Sequence, residues 1–190
     1  MGGGDVGLAS AVHLSSQGKQ VDLFSRRHSS INKTKIVRSM GVFSPGNYPI
    51  ATCYNQIQAI AATHNGKLPK NIIIGCRGQD IEAYVSILGE YLNSQHNILL
   101  ICSSRFSGRV FGKLLGTKFG ITEAQLPAIA DVNNTPFACR GNGDDQVAIK
   151  KFKQQFRIAA QNPEMTERIV NTYQGCFANL RAVNSNLEIN

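Results

Sequence analysis

The chain has 190 residues, of which 42% are hydrophobic and 17% charged, and 20 Lys and Arg against 12 Asp and Glu give a formal charge of +8. That length and apolar share suit one domain, residues 1–190, that buries a core without disulfide staples. The longest apolar runs, Ile72-Ile73-Ile74 and Ile98-Leu99-Leu100-Ile101-Cys102, fall far short of the roughly 20 residues that cross a bilayer. The opening Met1-Gly2-Gly3-Gly4-Asp5 lacks the basic and apolar regions of a secretory leader. A cytoplasmic domain with no membrane partner is the expectation.

Residues 8–17 carry apolar side chains at helical spacing (Leu8, Ala11, Val12, Leu14), and Gly18 is placed to end that helix. Residues 20–24 read as a short strand, and 29–49 as a polar, basic, turn-rich loop holding at most a short helix or strand. A short helix is predicted over 57–62. The β-branched run 71–76 and the apolar run 97–102 have the signature of parallel strands buried on both faces. Between them, 80–92 is a helix with Ile81, Tyr84, Val85 and Leu88 on its buried stripe; after them, 108–115 is a helix. Residues 128–131 and 146–149 are weaker strand candidates, and 164–177 is a final amphipathic helix. Alternating strands and helices imply an α/β fold with a mostly parallel sheet and helices on both faces.

The five cysteines, Cys53, Cys76, Cys102, Cys139 and Cys176, are scattered and form no C-x-x-C pair, so they read as structural thiols in a reducing compartment, with no metal site. Two basic clusters stand out: Arg26, Arg27, Lys33, Lys35 and Arg38, then Lys150, Lys151, Lys153 and Arg157. A pI near 9.4 invites a nucleic-acid reading, against which stands the simpler one of a solvated basic face. The chain has no Trp, and no aromatic residue interleaves with the basic residues of the first segment as a base-stacking platform requires.

The first cluster has a local explanation. Gly2-Gly3-Gly4-Asp5-Val6-Gly7 matches G-x-G-x-x-G and leads directly into the first helix. In such a loop Gly2 allows a tight turn, Gly4 lets the backbone approach a pyrophosphate, and Gly7 permits close helix packing, while the helix N-terminus offers amide donors to the anion. A strand then follows within about 20 residues, the spacing of a dinucleotide-binding unit. At its end, where an NAD site carries an acid for the ribose hydroxyl, stand Ser25, Arg26 and Arg27. Serine and two guanidinium groups suit a 2′-phosphate, which favours NADPH over NADH. Asp22, the nearest acid, points away from the strand tip by period-two alternation. A dinucleotide fold places its first strand just before the glycine loop, yet only Met1 precedes Gly2, so that strand is expected to be missing, through either a late start or a truncation.

Four segments together resemble the NAD(P)-binding half of the octopine and opine dehydrogenases, metallophore-forming members included. They are GGGDVGLASAVHLSSQGKQVDLFSRR from Gly2 to Arg27, IIIGCRGQ from Ile72 to Gln79, ILLICSSRFSG from Ile98 to Gly108, and TPFACR from Thr135 to Arg140. More distantly they resemble glycerol-3-phosphate dehydrogenase and ketopantoate reductase. The likeness spans nearly the whole chain, is loosest over 29–70, and is most discriminating at TPFACR. It implies a Rossmann-like doubly wound domain and a reaction in which an α-keto acid and an amino-acid amine condense and the imine is reduced by NAD(P)H. By the same resemblance Cys76 and Arg77, with Gly78 and Gln79, lie along the cofactor, and Ser103, Ser104 and Arg105 lie near the nicotinamide.

Members of that family continue into a helical domain that carries the catalytic histidine and the substrate pocket, and this sequence ends about where that domain would begin. His13, His28, His64 and His96 are expected in surface or capping roles. No catalytic residue is therefore assigned, and turnover is expected to need a catalytic domain from elsewhere. The alternative is a stand-alone nucleotide-sensing module without turnover. A nucleic-acid partner, for which only the pI speaks, is not expected.

Overall fold

The computed structural model describes residues 4–25, 30–101, 106–185 and 187–188. In chain order its elements are helix α1 (Asp5–Ser16), strand β1 (Asp22–Phe24), a single helical turn α2 (Ile31–Thr34), β2 (Ile36–Ser39), β3 (Gly46–Pro49), β4 (Thr52–Tyr54) and α3 (Ile57–Thr63). There follow β5 (Asn71–Gly75), α4 (Ile81–Leu88), β6 (Asn97–Ile101), α5 (Ser107–Phe119), β7 (Ala128–Val132), β8 (Phe137–Gly141), β9 (Gln146–Phe152), β10 (Phe156–Ala160), α6 (Pro163–Tyr173) and β11 (Leu180–Ala182). They divide into two compact units, Met1–Gly66 with Thr135–Gln154 and Lys67–Asn134 with Gln155–Asn190.

The second unit is organised by the apolar runs. Ile72, Ile73 and Ile74 of β5 pair in parallel with Ile98, Leu99 and Leu100 of β6, which pairs in parallel with β7. Every residue of β6 and β7 is buried, the pattern of strands covered on both faces. The sheet runs β11-β10-β7-β6-β5, with β10 antiparallel to β7. Helix α6 begins cleanly: Pro163 takes the first position, where a missing N–H costs nothing, and the Asn162 side chain accepts from Met165 N–H at 2.8 Å. Near the helix end the buried Tyr173 hydroxyl lies 3.0 Å from the Ile72 and Asn97 carbonyls, tying α6 to β5 and β6. Burial pushes that phenol far above its ordinary range.

In the first unit α1 packs on a four-stranded sheet of order β3-β2-β9-β8, while β1 and β4 form a separate parallel pair. Alternation on β2 buries Val37 and Ser39 and leaves Ile36 and Arg38 outside. Beyond β2 the chain folds tightly against β9: Gly41 lies where any Cβ would overlap the Ile149 backbone, while Val42 next to it is 84% exposed.

Several expectations change. Residues 29–49, read as a loop, hold the antiparallel β2–β3 hairpin, whose four-residue strands are too short and too polar on their outer face to show a period. The strands form three sheets, and β2–β3, β8–β9 and β10–β7 are antiparallel within the parallel-dominated whole. Strands β4, β8, β10 and β11 carried no recognised strand signal. The strand at 146–149 runs on to Phe152, and the helix at 108–115 to Phe119. Among the described residues no strand precedes α1, and no helix is long and apolar enough to cross a membrane.

His96, expected in a surface or capping role, is 6% exposed, and its Nδ1 accepts from the Asn93 N–H at 3.2 Å. Burial holds this imidazole below its ordinary range, with the Arg168 guanidinium adding to the effect and backbone contacts to Asn93 and Leu68 opposing it. The unfolded chain therefore takes up the proton first as pH falls through about 6.5, and stability present at neutral pH is lost on acidification. The melting temperature should fall between about pH 7.5 and pH 5.5, and fall less in His96→Gln. Leu99→Ala, at the centre of the sheet, should cost about 2–5 kcal/mol by denaturant titration. At exposed Val42, a change to Ser should stay within about 0.5 kcal/mol.

Candidate functional site

The glycine loop leads into α1 as its spacing predicts. Gly4 is extended (φ −86°, ψ 179°), and the first helical bond runs from Leu8 N–H to Gly4 O at 3.0 Å. The N–H groups of Asp5, Val6 and Gly7 therefore have no acceptor within the helix and form its positive end. A Cβ built on Gly4 meets nothing within 4 Å, so the approach to its backbone is open. Gly7 is buried. Gly2 lies outside the described residues.

Two contacts fix how α1 lies on β8. The His13 ring, seven to eight residues from the helix start, packs 5.5 Å from Phe137 and 4.9 Å from Phe152. At the other end Asp5 meets Gly141, where a built Cβ would fall 2.5 Å from Asp5 Oδ1. Asp5 to His13 spans about 12 Å of helix. Phe137 to Gly141 spans about 13 Å of strand, so the helix runs antiparallel to β8 and the two contacts stay in step.

Ser25 follows the carboxyl end of β1, is 4% exposed, and donates its N–H to Tyr54 O at 3.0 Å. Arg26 and Arg27 lie outside the described residues. Asp22 sits at the opposite end of β1, where Thr52 Oγ1 donates to its Oδ1 at 2.5 Å and the His64 ring donates to Oδ2 at 2.8 Å. The acid is thus engaged away from the strand tip, and His64, expected in a surface or capping role, is the C-cap residue of α3 and ties it to β1.

In the second unit Cys76 is 7% exposed just past β5 and donates its N–H to Ile101 O at 3.2 Å. Arg77 is exposed and opens the short helical turn Gly78–Asp80. Ser103, Ser104 and Arg105, with His28 and Cys102, lie outside the described residues. No cluster of His, Cys, Asp or Glu among the described residues could hold a metal ion.

Three residues escaped the sequence: Asp131, Phe106 and Gly141. Asp131, 2% exposed in β7, accepts the Gly108 N–H at the start of α5, at 3.0 and 3.1 Å to its two oxygens. Phe106, just before α5, has left-handed backbone (φ 64°), uncommon for a residue that carries a side chain. A lone acid inside the apolar strand Ala128-Ile129-Ala130-Asp131-Val132 was the available signal. Gly141 gave no signal, because one glycine near a strand end has many causes.

The fold is a Rossmann-like α/β architecture of the kind found in nucleotide-dependent dehydrogenases. No protein-family profile and no curated protein matches the sequence. Octopine dehydrogenase solved with NADH and pyruvate matches at a TM-score of 0.73 and 13% identity, over 98% of this chain and 49% of that one. Yersinopine dehydrogenase with NADP+ bound matches at 0.69 and 16% identity, over 97% and 46% of the two chains. A PanE/ApbA-family ketopantoate reductase from Ralstonia eutropha JMP134 matches at 0.70 and 13% identity, over 96% and 55%. The chain thus spans about half the length of these proteins.

Removing the Asp131 carboxylate leaves a buried N–H at the start of α5 without this acceptor. Asp131→Ala should lower stability by about 1–3 kcal/mol in urea titration, with Asp131→Asn, which keeps an acceptor oxygen, losing less.

Proposed function

We propose that this chain binds a nicotinamide dinucleotide at the first turn of α1 and serves as the cofactor-binding part of an opine-dehydrogenase-like oxidoreductase. The observation that carries this reading is the open backbone at Gly4 leading to the unaccepted amides of Asp5, Val6 and Gly7, which fits a pyrophosphate and its charge. The names of the matched structures, with NADP+ in one and NADH in another, support the same ligand class. A bound nicotinamide would supply hydride to an imine formed from an α-keto acid and an amine.

The chain's own residues have binding roles. The amides of Asp5, Val6 and Gly7 hold the pyrophosphate, and Gly2 and Gly4 let the backbone come close. Ser25, Arg26 and Arg27 take the adenosine ribose and favour its 2′-phosphate, hence NADPH over NADH. The family resemblance assigns Cys76 and Arg77, just past the carboxyl end of β5, to cofactor binding as well. Each described histidine is engaged structurally: His13 against Phe137 and Phe152, His64 with Asp22, His96 with Asn93. On this reading the proton for imine reduction comes from a group other than these three histidines.

Fluorescence titration with NADPH and NADH tests the reading. NADPH should bind more tightly, and Arg26→Ala with Arg27→Ala should weaken NADPH by about tenfold or more while changing NADH about twofold at most. Gly4→Ala fits the observed φ and should melt no lower than the parent, yet reduce affinity for both by at least about tenfold. Failure of the parent chain to bind either dinucleotide overturns the proposal.

A further inference from the structure

The contact between Asp5 and Gly141 has a bearing on binding that the glycine motif does not contain. Asp5 is the first residue of α1, and its carboxylate occupies the space that a side chain at position 141 would fill: a built Cβ there lies 2.5 Å from Asp5 Oδ1 and 3.3 Å from its Cγ. We propose that Gly141 is a positioning residue for the dinucleotide, its bare backbone giving the Asp5 carboxylate a berth on β8 that keeps this negative charge off the helix mouth. The inference rests on the reading of α1 as the pyrophosphate site.

Three observations support it. First, an acid at the start of a helix is attracted to the same amides that an incoming anion needs, so an untethered Asp5 competes with the ligand as well as repelling it. Second, Cα–Cβ bonds in a helix tilt toward its N-terminus, so a carboxylate displaced from β8 moves toward the mouth. Third, the strand cannot retreat to make room. Gly141 is paired with the fully buried Val147 of β9, Asn142 donates its N–H to Gln146 O at 3.0 Å, and the packing of His13 on Phe137 holds the far end of the helix–strand contact. Gly141 directly follows the Thr135–Arg140 segment, so the strand that supplies Phe137 for His13 also supplies the berth for Asp5.

The test uses the 190-residue chain with NADPH as probe, at low and at high ionic strength, with a melting curve for each variant. Gly141→Ala should weaken binding at least about fivefold at low salt, and the gap should narrow as salt screens the charge. Asp5→Asn, equal in size but uncharged, should restore the Gly141→Ala variant to within about twofold of Asp5→Asn alone. Should Gly141→Ala fail to fold, Asp5→Glu, one methylene too long for the berth, should weaken binding with the same salt dependence. Unchanged affinity in Gly141→Ala, or in Asp5→Glu where that variant must stand in, overturns the inference. So does a double variant as weak as Gly141→Ala, because a purely steric role is blind to the loss of charge. A parent chain that binds no dinucleotide overturns the underlying reading before the variants are compared.

Discussion

A helix can lie along a strand only where the strand leaves room for it, and α1 meets β8 at two points that set this distance. At one end His13 rests on Phe137 and Phe152; at the other Asp5 sits over a glycine. The first is dispersion and ring packing, tolerant of small shifts. The second leaves no room for a side chain at 141 unless the Asp5 carboxylate moves aside. Together they fix where the first turn of α1 lies on the sheet, and so where its unaccepted amides point. Val37, Val147 and Ile149, all buried, complete the surface on which the helix rests.

The second unit relies on a different constraint. Its β5–β6–β7 core is held by side chains of nearly uniform apolar character, so its stability is distributed over many contacts, whereas its specificity is concentrated in a few polar ones. Tyr173 ties α6 to two strands, and Asp131 takes the amide of Gly108, the second residue of α5, into the core. Both lie where the apolar pattern alone would leave a helix able to slide. A buried polar group that is satisfied in only one arrangement removes that freedom.

How much was legible from sequence depended on whether the determining interaction was local. Ile98-Leu99-Leu100-Ile101 reads as a buried strand from its own apolar run, and the glycine loop reads as the opening of a helix from the apolar spacing that follows it; both elements stand as expected. The family resemblance agrees in fold with the matched dehydrogenases. The β2–β3 hairpin was hidden because Arg38, Gly46 and Asn47 are exposed on strands four residues long, and β2 is held in place by β9, more than a hundred residues on, rather than by a pattern of its own. His96 was expected in a surface or capping role because burial of a histidine depends on neighbours far away in sequence, here Arg168, whereas His64 does cap α3 and only its contact to Asp22 lacked a local signal. Asp131 and Gly141 acquire meaning only once Gly108 and Asp5 are beside them.

Gly41 and Val42 show how such geometry would guide drift in sequence. They are adjacent, yet one is pressed against the backbone of Ile149 and the other stands in solvent. Any replacement at 41 must pry β9 from the end of β2, while replacements at 42 meet only water. Divergent copies of this chain should therefore vary freely at the tip and hold the glycine before it, so that the hairpin changes its surface chemistry without changing its path.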